Sequence, residues 1–229
     1  MPQKKDIIIA PSMLAANPLN LENEIGKIEN SGAEFLHIDI MDGHFVPNLS
    51  FSPDTVKALR KKSKLFFDVH LMISEPEKYI NAFADAGADL ITVHAEATDN
   101  PSELAAMIHN RGIKAGLSIK PGTSFEKIKD VVSEFDLLLI MTVEPGFGGQ
   151  AYISEMNSKI SEARNYIDMC GRKIYLEVDG GINSDTIKEA CASGADVFVA
   201  GSAVFRAENP AFAVESLKNN AHSGSGEIS

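Results

Sequence analysis

The sequence repeats one short pattern where helix-like segments give way to strand-like ones: a glycine, an alanine, an acidic residue and then an apolar run. The pattern begins at Gly32, Gly87 and Gly194, so its copies lie 55 and 107 residues apart. These distances are close to two and four units of about 27 residues, the size of one strand, one helix and short loops. Glycine suits the left-handed residue that closes a helix, and a continuous apolar run suits a strand buried on both faces. The chain is therefore predicted to consist of repeated strand–helix units around a parallel sheet.

Eight such units account for most of the chain. Strand-like apolar runs lie at 7–11, 35–40, 65–71, 90–94, 113–119, 137–142, 174–179 and 197–200. Amphipathic helical stretches lie near 19–30, 53–62, 76–86, 101–110, 124–133, 154–170, 184–192 and 210–219. This alternation favours a closed (β/α)8 TIM barrel, an α/β fold; a doubly wound open sheet is the alternative, and eight regular units fit closure better. We predict one catalytic barrel domain over residues 1–221 and a disordered Gly/Ser-rich tail over 222–229.

Composition limits the kinds of partner. The net charge of −11 argues against a nucleic-acid-binding or anionic-membrane surface, which needs a basic patch. It does not exclude an anionic substrate, because backbone N–H groups at a helix start can hold a phosphate locally. No apolar run approaches the roughly 20 residues that span a bilayer, and the N-terminus lacks the apolar core of a secretory signal. With only two cysteines, and no Cys-x-x-Cys pair, we expect thiols in a reducing, cytoplasmic compartment.

Polar side chains gather at the predicted carboxyl ends of three strands. His37 and Asp39 end the second strand, two residues apart and hence on one face; His70 ends the third and Asp179 the seventh. Active sites of such barrels lie at the carboxyl ends of the strands, so the four side chains can converge. Two imidazoles and two carboxylates suit one divalent ion such as Zn2+, Fe2+, Mn2+ or Co2+. Hydrogen-bonded structural roles for the same residues are an equally open interpretation of these positions alone.

Glycine-rich turns follow strands six, seven and eight. The loop after strand six reads EPGFGGQ at 144–150, and shorter turns follow as Gly180-Gly181 and Gly201-Ser202. Barrels often bind phosphate with the loops after strands seven and eight and a following helix start, although each turn alone could be a tight connection and no more. The sequence thus predicts a phosphate-binding end of the site.

Several of these segments resemble the ribulose-phosphate 3-epimerase family. The similarity rests on APS at 10–12, HIDIMDGHFVPN at 37–48, DVHLM at 68–72, MTVEPGFGGQ at 141–150, EVDGG at 177–181 and GS at 201–202. The likeness runs in order from about residue 8 to residue 219, and its two long motifs are far more specific than a lone glycine-rich match. It implies a ribulose-phosphate-binding barrel that epimerises a phosphorylated ketose.

The resemblance also implies a role for each matching position. The metal ligands would be His37, Asp39, His70 and Asp179, and the catalytic acid and base Asp39 and Asp179. The substrate contacts would be Ser12, His70, Gly146, Phe147, Gly148, Gly149, Gly180, Gly181, Gly201 and Ser202. Met41, Met72 and Met141 would form a sulfur-rich cap over the intermediate, although composition alone would make them core filler. His44, His94, His109 and His222 have no matching role and are assigned structural or surface positions.

The expected reaction interconverts D-ribulose 5-phosphate and D-xylulose 5-phosphate at carbon 3, in the pentose phosphate pathway, with one divalent metal ion and no organic cofactor. Family resemblance also implies a homo-oligomer, a dimer or a hexamer, with no nucleic acid and no membrane as partner. Ala10 and Asn17 depart from the residues usual in the family, and Lys120 stands where many members carry Asn, so its role is open. The nearest alternative is 3-epimerisation of a ketohexose 6-phosphate such as allulose 6-phosphate. A lyase or decarboxylase would need an Asp-x-Lys-x-x-Asp motif that strand two lacks, and a barrel acting only as a scaffold would not need all four ligand positions.

Overall fold

A computed structural model describes residues 6–224 of the chain. Its eight strands are β1 (Ile8–Pro11), β2 (Phe35–Met41), β3 (Phe66–Met72), β4 (Leu90–His94), β5 (Lys114–Ile119), β6 (Leu137–Met141), β7 (Tyr175–Asp179) and β8 (Val197–Ala200). They form one parallel sheet in the order β1-β8-β7-β6-β5-β4-β3-β2. A parallel bridge between Ser12 and His37 joins β1 and β2, the two edge strands of this sheet, and closes the sheet into a barrel. The predicted (β/α)8 barrel is confirmed.

Within residues 6–224, eight α-helices surround the sheet. They are α1 (Leu21–Glu29), α2 (Pro53–Arg60), α3 (Ile80–Ala86), α4 (Pro101–His109), α5 (Met156–Met169), α6 (Thr186–Ser193), α7 (Ser202–Phe205) and α8 (Pro210–Gly224). Since α8 runs to Gly224, the first three residues of the predicted tail are helical; the remainder, 225–229, lies outside the described residues. Helix α8 packs on α6, and Gly224 lies so close to the backbone of Lys188 that a side chain would not fit there.

The predicted helix at 124–133 is wrong. The chain forms two 3-10 turns there, Phe125–Lys127 and Val132–Glu134. Phe125, Ile128 and Val132 are buried at the spacing of a helical face, which explains the amphipathic pattern. Three of the residues between 125 and 132 are β-branched, and such side chains lower helix propensity. Two short turns bury the same apolar face over the barrel.

The repeated acidic residue ties each odd-numbered strand to the following even-numbered one. The carboxylates before β2, β4, β6 and β8 each lie within hydrogen-bonding distance of a backbone N–H on the preceding odd strand: Glu34 with Ile9 (3.4 Å), Asp89 with Phe67 (2.7 Å), Asp136 with Ala115 (3.0 Å) and Asp196 with Leu176 (3.0 Å). A basic side chain contacts each carboxylate: Lys218, Arg60, His109 and Arg164, respectively. Arg60, His109 and Arg164 belong to the helix before the odd strand, and Lys218 belongs to the last helix, α8. One acidic residue thus links each pair of strands, which explains why the pattern recurs at every second strand–helix unit.

Inside the barrel, apolar and polar layers are segregated along the axis. Phe35, Phe66 and Tyr175 fill the end where the strands begin, with Phe35 stacked on Phe66 at a centroid distance of 4.4 Å. Polar side chains occupy the middle and the end where the strands finish, among them the fully buried Asp68 and Glu177. An aromatic plug thus closes one end, and the chemistry is confined to the other.

Candidate metal centre and active site

The four predicted ligands meet at the carboxyl end of the barrel. Asp39 and His70 are register partners on β2 and β3, and His37 precedes Asp39 on the same strand face. Asp39 Oδ1 lies 3.2 Å from His37 Nε2 and 3.2 Å from His70 Nδ1, and Asp179 Oδ2 lies 4.0 Å from His37 Nε2. One donor atom from each of the four residues falls within 4.8 Å of the other three. Ligand atoms about 2.0–2.2 Å from one Zn2+ are separated by distances of this size, so the residues fit a single divalent ion.

The surroundings of His37 favour positive charge. Its Nδ1 lies 2.5 Å from Asp68 Oδ2, directly below the site. Burial by itself lowers the pKa of His37, but the Asp68 and Asp39 carboxylates outweigh it and raise the pKa well above its usual range. The same negative field is what a bound cation requires.

The two carboxylates of the site hold their protons differently. Burial by itself raises the pKa of Asp39, but His37 and His70 outweigh it and bring the pKa below its usual range. For Asp179, burial and the nearby charge of Asp39 raise the pKa to about 7. At neutral pH, Asp39 is therefore ionised while Asp179 can carry a proton, which is the starting condition for a base and an acid in one site.

Asp68 and Glu177 form a buried layer that sequence reasoning did not identify. Both side chains are fully buried, and Asp68 Oδ1 and both Glu177 carboxylate oxygens have no hydrogen-bond partner among the described residues. Burial and the neighbouring Asp68 raise the pKa of Glu177 well above its usual range, which favours its neutral form. The signal was present in the sequence, since each acid stands two residues before a predicted ligand, His70 or Asp179, and so on the same strand face.

A cleft of about 890 Å³ opens above this centre. It is lined by Ser12, Asp39 and Asp179, by the three methionines Met41, Met72 and Met141, and by all the predicted glycine-turn residues: Gly146, Phe147, Gly148, Gly149, Gly180, Gly181, Gly201 and Ser202. His37 and His70 are fully buried at its floor and do not line it. The structure thus brings the predicted site residues together around one cavity and its floor.

Two of the glycines are required by close packing. Gly181 has φ +67°, and a Cβ there would lie 2.3 Å from the backbone nitrogen of Tyr152. Gly180 has φ +125°, and a Cβ there would lie 2.5 Å from Val143 Cγ2. Both contacts join the turn after β7 to the segment after β6. Glycine is therefore needed for backbone shape as well as for access to a ligand.

The loop after β6 is held at its base and exposed at its tip. Asn48 Nδ2, from the segment after β2, donates to the Gly146 carbonyl at 2.8 Å. Gln150 Nε2 donates to the carbonyls of Glu144 and Phe147. Phe147 as a whole residue remains 55% exposed. The tip of this loop, at Phe147, Gly148 and Gly149, lines the cleft and is exposed, whereas Gly146 at its base is buried.

Asn48, Tyr152 and Arg206 are among the residues of the cleft that were not predicted from the sequence. Arg206 is the C-cap residue of α7, four residues after Ser202, and is a basic group on the side of the glycine turns. A basic residue one helical turn beyond the predicted phosphate contact was the available signal. Burial raises the pKa of Tyr152 further above neutral, so its hydroxyl keeps its proton.

Lys120 lies on a different cavity. It lines a rim cavity of about 1000 Å³ together with His44, Phe45 and Glu96, and the lining of the cleft described above does not include it. Its Nζ stands 3.7 Å from the centroid of the Phe45 ring, a cation–π distance. Lys120 therefore lies at the rim and outside the lining of the cleft.

The other histidines have varied surroundings. His94 is fully buried, with its Nε2 2.9 Å from His70 Nε2, so it contacts a predicted ligand although no such role was predicted for it. His109 pairs with Asp136 at the surface, and His44 is exposed in the loop after β2. Within residues 6–224, no helix has the length and apolar character needed to traverse a bilayer.

Comparison with known proteins identifies the sequence family and the fold. The model of the ribulose-phosphate 3 epimerase family matches residues 8–205. A ribulose-phosphate 3-epimerase from Mycobacterium tuberculosis is 47% identical over 222 residues, covering 97% of this chain and 96% of that protein. The Bacillus subtilis protein of the same name is 44% identical over 215 residues, covering 93% and 99%.

Solved structures of other enzymes share the architecture. KGPDC from Streptococcus mutans superposes with a TM-score of 0.70 at 16% identity, over 95% of this chain and 98% of that one. Orotidine 5'-monophosphate decarboxylase from Sulfolobus solfataricus superposes with a TM-score of 0.67 at 15% identity, over 97% and 100%. At these identities the likeness concerns the barrel fold alone.

Proposed function

The chain belongs to the ribulose-phosphate 3-epimerase family and is an epimerase, and we propose that it interconverts D-ribulose 5-phosphate and D-xylulose 5-phosphate with the aid of one divalent metal ion. The observation that carries this proposal is the pair of carboxylates, Asp39 and Asp179, that face one cleft with opposite preferences for a proton. Inversion at carbon 3 needs one group that takes a proton from one face of the sugar and another that delivers one to the opposite face.

The carbon-3 proton is acidic because a ketone lies at carbon 2, and its removal creates an enediolate. Asp39, ionised at neutral pH, accepts the proton in one direction, and Asp179 donates its own to the other face. The roles exchange when the reaction runs backwards. A divalent ion held by His37, Asp39, His70 and Asp179 would stabilise the negative charge of the enediolate as a Lewis acid. No electrons leave the substrate, so the reaction needs no organic cofactor.

The glycine turns and the three methionines divide the cleft into a phosphate end and a reacting end. We assign the phosphate to the turns at Gly180-Gly181 and Gly201-Ser202, where the backbone is open to a ligand, with Arg206 as a nearby cation. Met41, Met72 and Met141 are buried at the cleft wall and offer no acidic proton, so they can cover the intermediate without quenching it. The loop carrying Phe147 would close on the phosphate and exclude water, which limits loss of phosphate from the intermediate.

The proposal also covers the cellular compartment, the pathway and the oligomeric state of the enzyme. Cys170 and Cys191 are not joined in a disulfide, which supports a reducing, cytoplasmic compartment. Participation in the pentose phosphate pathway and assembly into a dimer or hexamer remain predictions from the family. Sedimentation of the purified chain decides the assembly.

The reaction can be tested by the exchange of the carbon-3 proton of ribulose 5-phosphate in D2O, followed by NMR. We expect rapid deuterium uptake and the appearance of xylulose 5-phosphate, loss of both on chelation, and recovery on adding Fe2+, Zn2+, Mn2+ or Co2+. Allulose 6-phosphate is assayed in parallel, because a cleft of about 890 Å³ does not by its size reject a six-carbon ketose. Exchange that survives complete chelation would rule out the metal, and faster turnover of the hexose phosphate would reassign the substrate.

A further inference from the structure

A chain of three side chains leads from the metal centre to the rim cavity. His70 Nε2 lies 2.9 Å from His94 Nε2, and His94 Nδ1 lies 3.1 Å from Glu96 Oε2. Both imidazoles are fully buried, while Glu96 is in the 3-10 turn Ala95–Ala97 after β4, with its side chain 22% exposed at the rim cavity. The backbone N–H of Lys120 donates to the other oxygen of Glu96 at 2.8 Å. The catalytic steps described above use His70 but neither His94 nor Glu96.

One arrangement of hydrogens satisfies the contacts that run from His70 Nε2 to Glu96. The Glu96 carboxylate is an acceptor, so His94 Nδ1 must carry a hydrogen and donate it. His94 Nε2 is then a lone pair, and the short contact between the imidazoles requires His70 Nε2 to be the donor. The opposite order would set the lone pair of His94 Nδ1 against the carboxylate. His70 Nδ1 then presents a lone pair toward the Asp39 carboxylate, 3.2 Å away, an arrangement that a cation bound between the two atoms would stabilise.

The second histidine ligand is oriented in a comparable way. His37 Nδ1 contacts the Asp68 carboxylate at 2.5 Å, so a hydrogen on Nδ1 leaves His37 Nε2 to face Asp39 at 3.2 Å. Each imidazole of the site is thus backed by a carboxylate, directly for His37 and through a second imidazole for His70. Carboxylates behind metal-binding histidines fix the tautomer and the ring orientation.

We propose that Glu96 is a positioning residue that acts through His94 to hold His70 in the tautomer whose Nδ1 binds the metal ion. The inference rests on the proposed metal site. It assigns to a residue of the rim cavity, which has no contact with the cleft, a role in the strength with which the ion is bound.

Glu96→Gln is the sharpest test, because the structure dictates which way the amide must turn. Lys120 N–H needs an oxygen in front of it, so the glutamine oxygen takes that place and its NH2 group faces His94 Nδ1. The donor then reverses the chain: His94 Nε2 carries the hydrogen, His70 Nε2 becomes the acceptor, and His70 Nδ1 is protonated. Glu96→Ala removes the carboxylate without imposing the reversed order.

Tautomers are read in the metal-free proteins from long-range 15N–1H spectra of the histidine rings, and metal binding from Co2+ titrations followed by absorption and calorimetry. We expect His70 to be the Nε2–H tautomer in the unaltered protein and the Nδ1–H tautomer in Glu96→Gln. Co2+ binding should weaken about 10- to 100-fold in Glu96→Gln, the usual effect of altering such a partner, and less in Glu96→Ala. Glu77→Gln, which removes a carboxylate from the same cavity wall, should bind Co2+ as the unaltered protein does.

The result distinguishes a positioning role from a structural one. Loss of charge or of packing alone predicts an effect of Glu96→Ala at least as large as that of Glu96→Gln, with unchanged tautomers. Unchanged His70 tautomers in Glu96→Gln, or Co2+ binding within twofold of the unaltered protein, would overturn the proposal. If the unaltered protein binds no Co2+, the metal dependence of the proposed function fails, while the spectra of the metal-free proteins still decide the order of hydrogens.

Discussion

The Ser12 hydroxyl donates to Asp39 Oδ2 at 2.7 Å, across the one bridge that joins β1 to β2. The same hydroxyl accepts the Leu14 N–H at 3.3 Å, which directs its hydrogen at the carboxylate. Ser12 therefore both fixes the orientation of the proposed base and limits its basicity.

Ser12→Ala should lower kcat/KM for ribulose 5-phosphate about tenfold or more, because a hydrogen bond to a charged group contributes about 1.5–3 kcal/mol. Ser50→Ala is the matched control, since the Ser50 hydroxyl donates to the Asp39 backbone carbonyl at 2.6 Å and not to its carboxylate. Steady-state kinetics of both variants, with thermal unfolding as a check on folding, separate the two contacts. Equal loss in both would assign the effect to the shape of the strand end.

Asp39→Asn and Asp179→Asn should each lower turnover by at least about 100-fold, the usual contribution of a general acid or base. Both amides keep the size of the side chain, so the fold should be retained. Asp99→Asn, a carboxylate of the rim cavity, serves as the control and should leave kcat unchanged. Retention of a tenth of the activity in either site variant would remove that residue from proton transfer.

Gly181→Ala should raise KM at least tenfold and lower the melting temperature. Its φ of +67° costs an L-residue about 1–2 kcal/mol, and the new methyl group meets the backbone of Tyr152. Gly122→Ala is the control, because nothing lies within 4 Å of a Cβ at that position and its φ is not in the left-handed region. A Gly181→Ala variant with unaltered KM would place the phosphate elsewhere.

The convergence of the polar side chains at the carboxyl ends of the strands could be predicted from the sequence. In a parallel barrel, the carboxyl ends of all strands lie at the same end of the barrel. His37 and Asp39 could be paired from a spacing of two, and Gly87 could be placed as a helix terminus, where its φ is +104°. Contacts between strands distant in sequence were harder: His94 reaches His70 only through the register of β3 with β4. Asp136 was missed as a member of the acidic repeat because Phe135 stands before it instead of the Gly-Ala pair.

Substitutions of Arg206, which lines the cleft, and Lys120, which lines the rim cavity, should show that the two cavities contribute differently to turnover. Arg206→Met should raise KM several-fold with little change in kcat, because a cation is lost from the phosphate side of the cleft. Lys120→Met should leave both parameters within about twofold, since a cation–π contact that is not fully desolvated contributes about 0.5–1 kcal/mol and this half-buried one lies at the rim. A larger effect of Lys120→Met on the hexose phosphate than on the pentose phosphate would instead connect the rim to substrate length.

Asp136 gives a stability prediction that depends on pH. Burial by itself raises the pKa of Asp136, but its contact with His109 at 2.9 Å and the Ala115 N–H at 3.0 Å outweigh it and lower the pKa. Since the pKa in the folded chain lies below that in the unfolded one, about 3.9, the stabilisation is complete above that value and is lost as the pH falls through the folded pKa.

Asp136→Asn should accordingly lower the free energy of unfolding by roughly 1 kcal/mol at pH 7, after allowance for partial exposure, and the difference should shrink near pH 3. Urea unfolding of both proteins across this range measures it, with chelator present throughout so that release of metal in acid does not contribute. Asp85→Asn is the control, because the Asp85–Arg111 pair lies on the surface and should change stability by less than about 0.5 kcal/mol. A difference between Asp136→Asn and the unaltered protein that stays constant from pH 7 to pH 3 would mean that the amide disturbs packing and that the charge of Asp136 does not stabilise the β5–β6 junction.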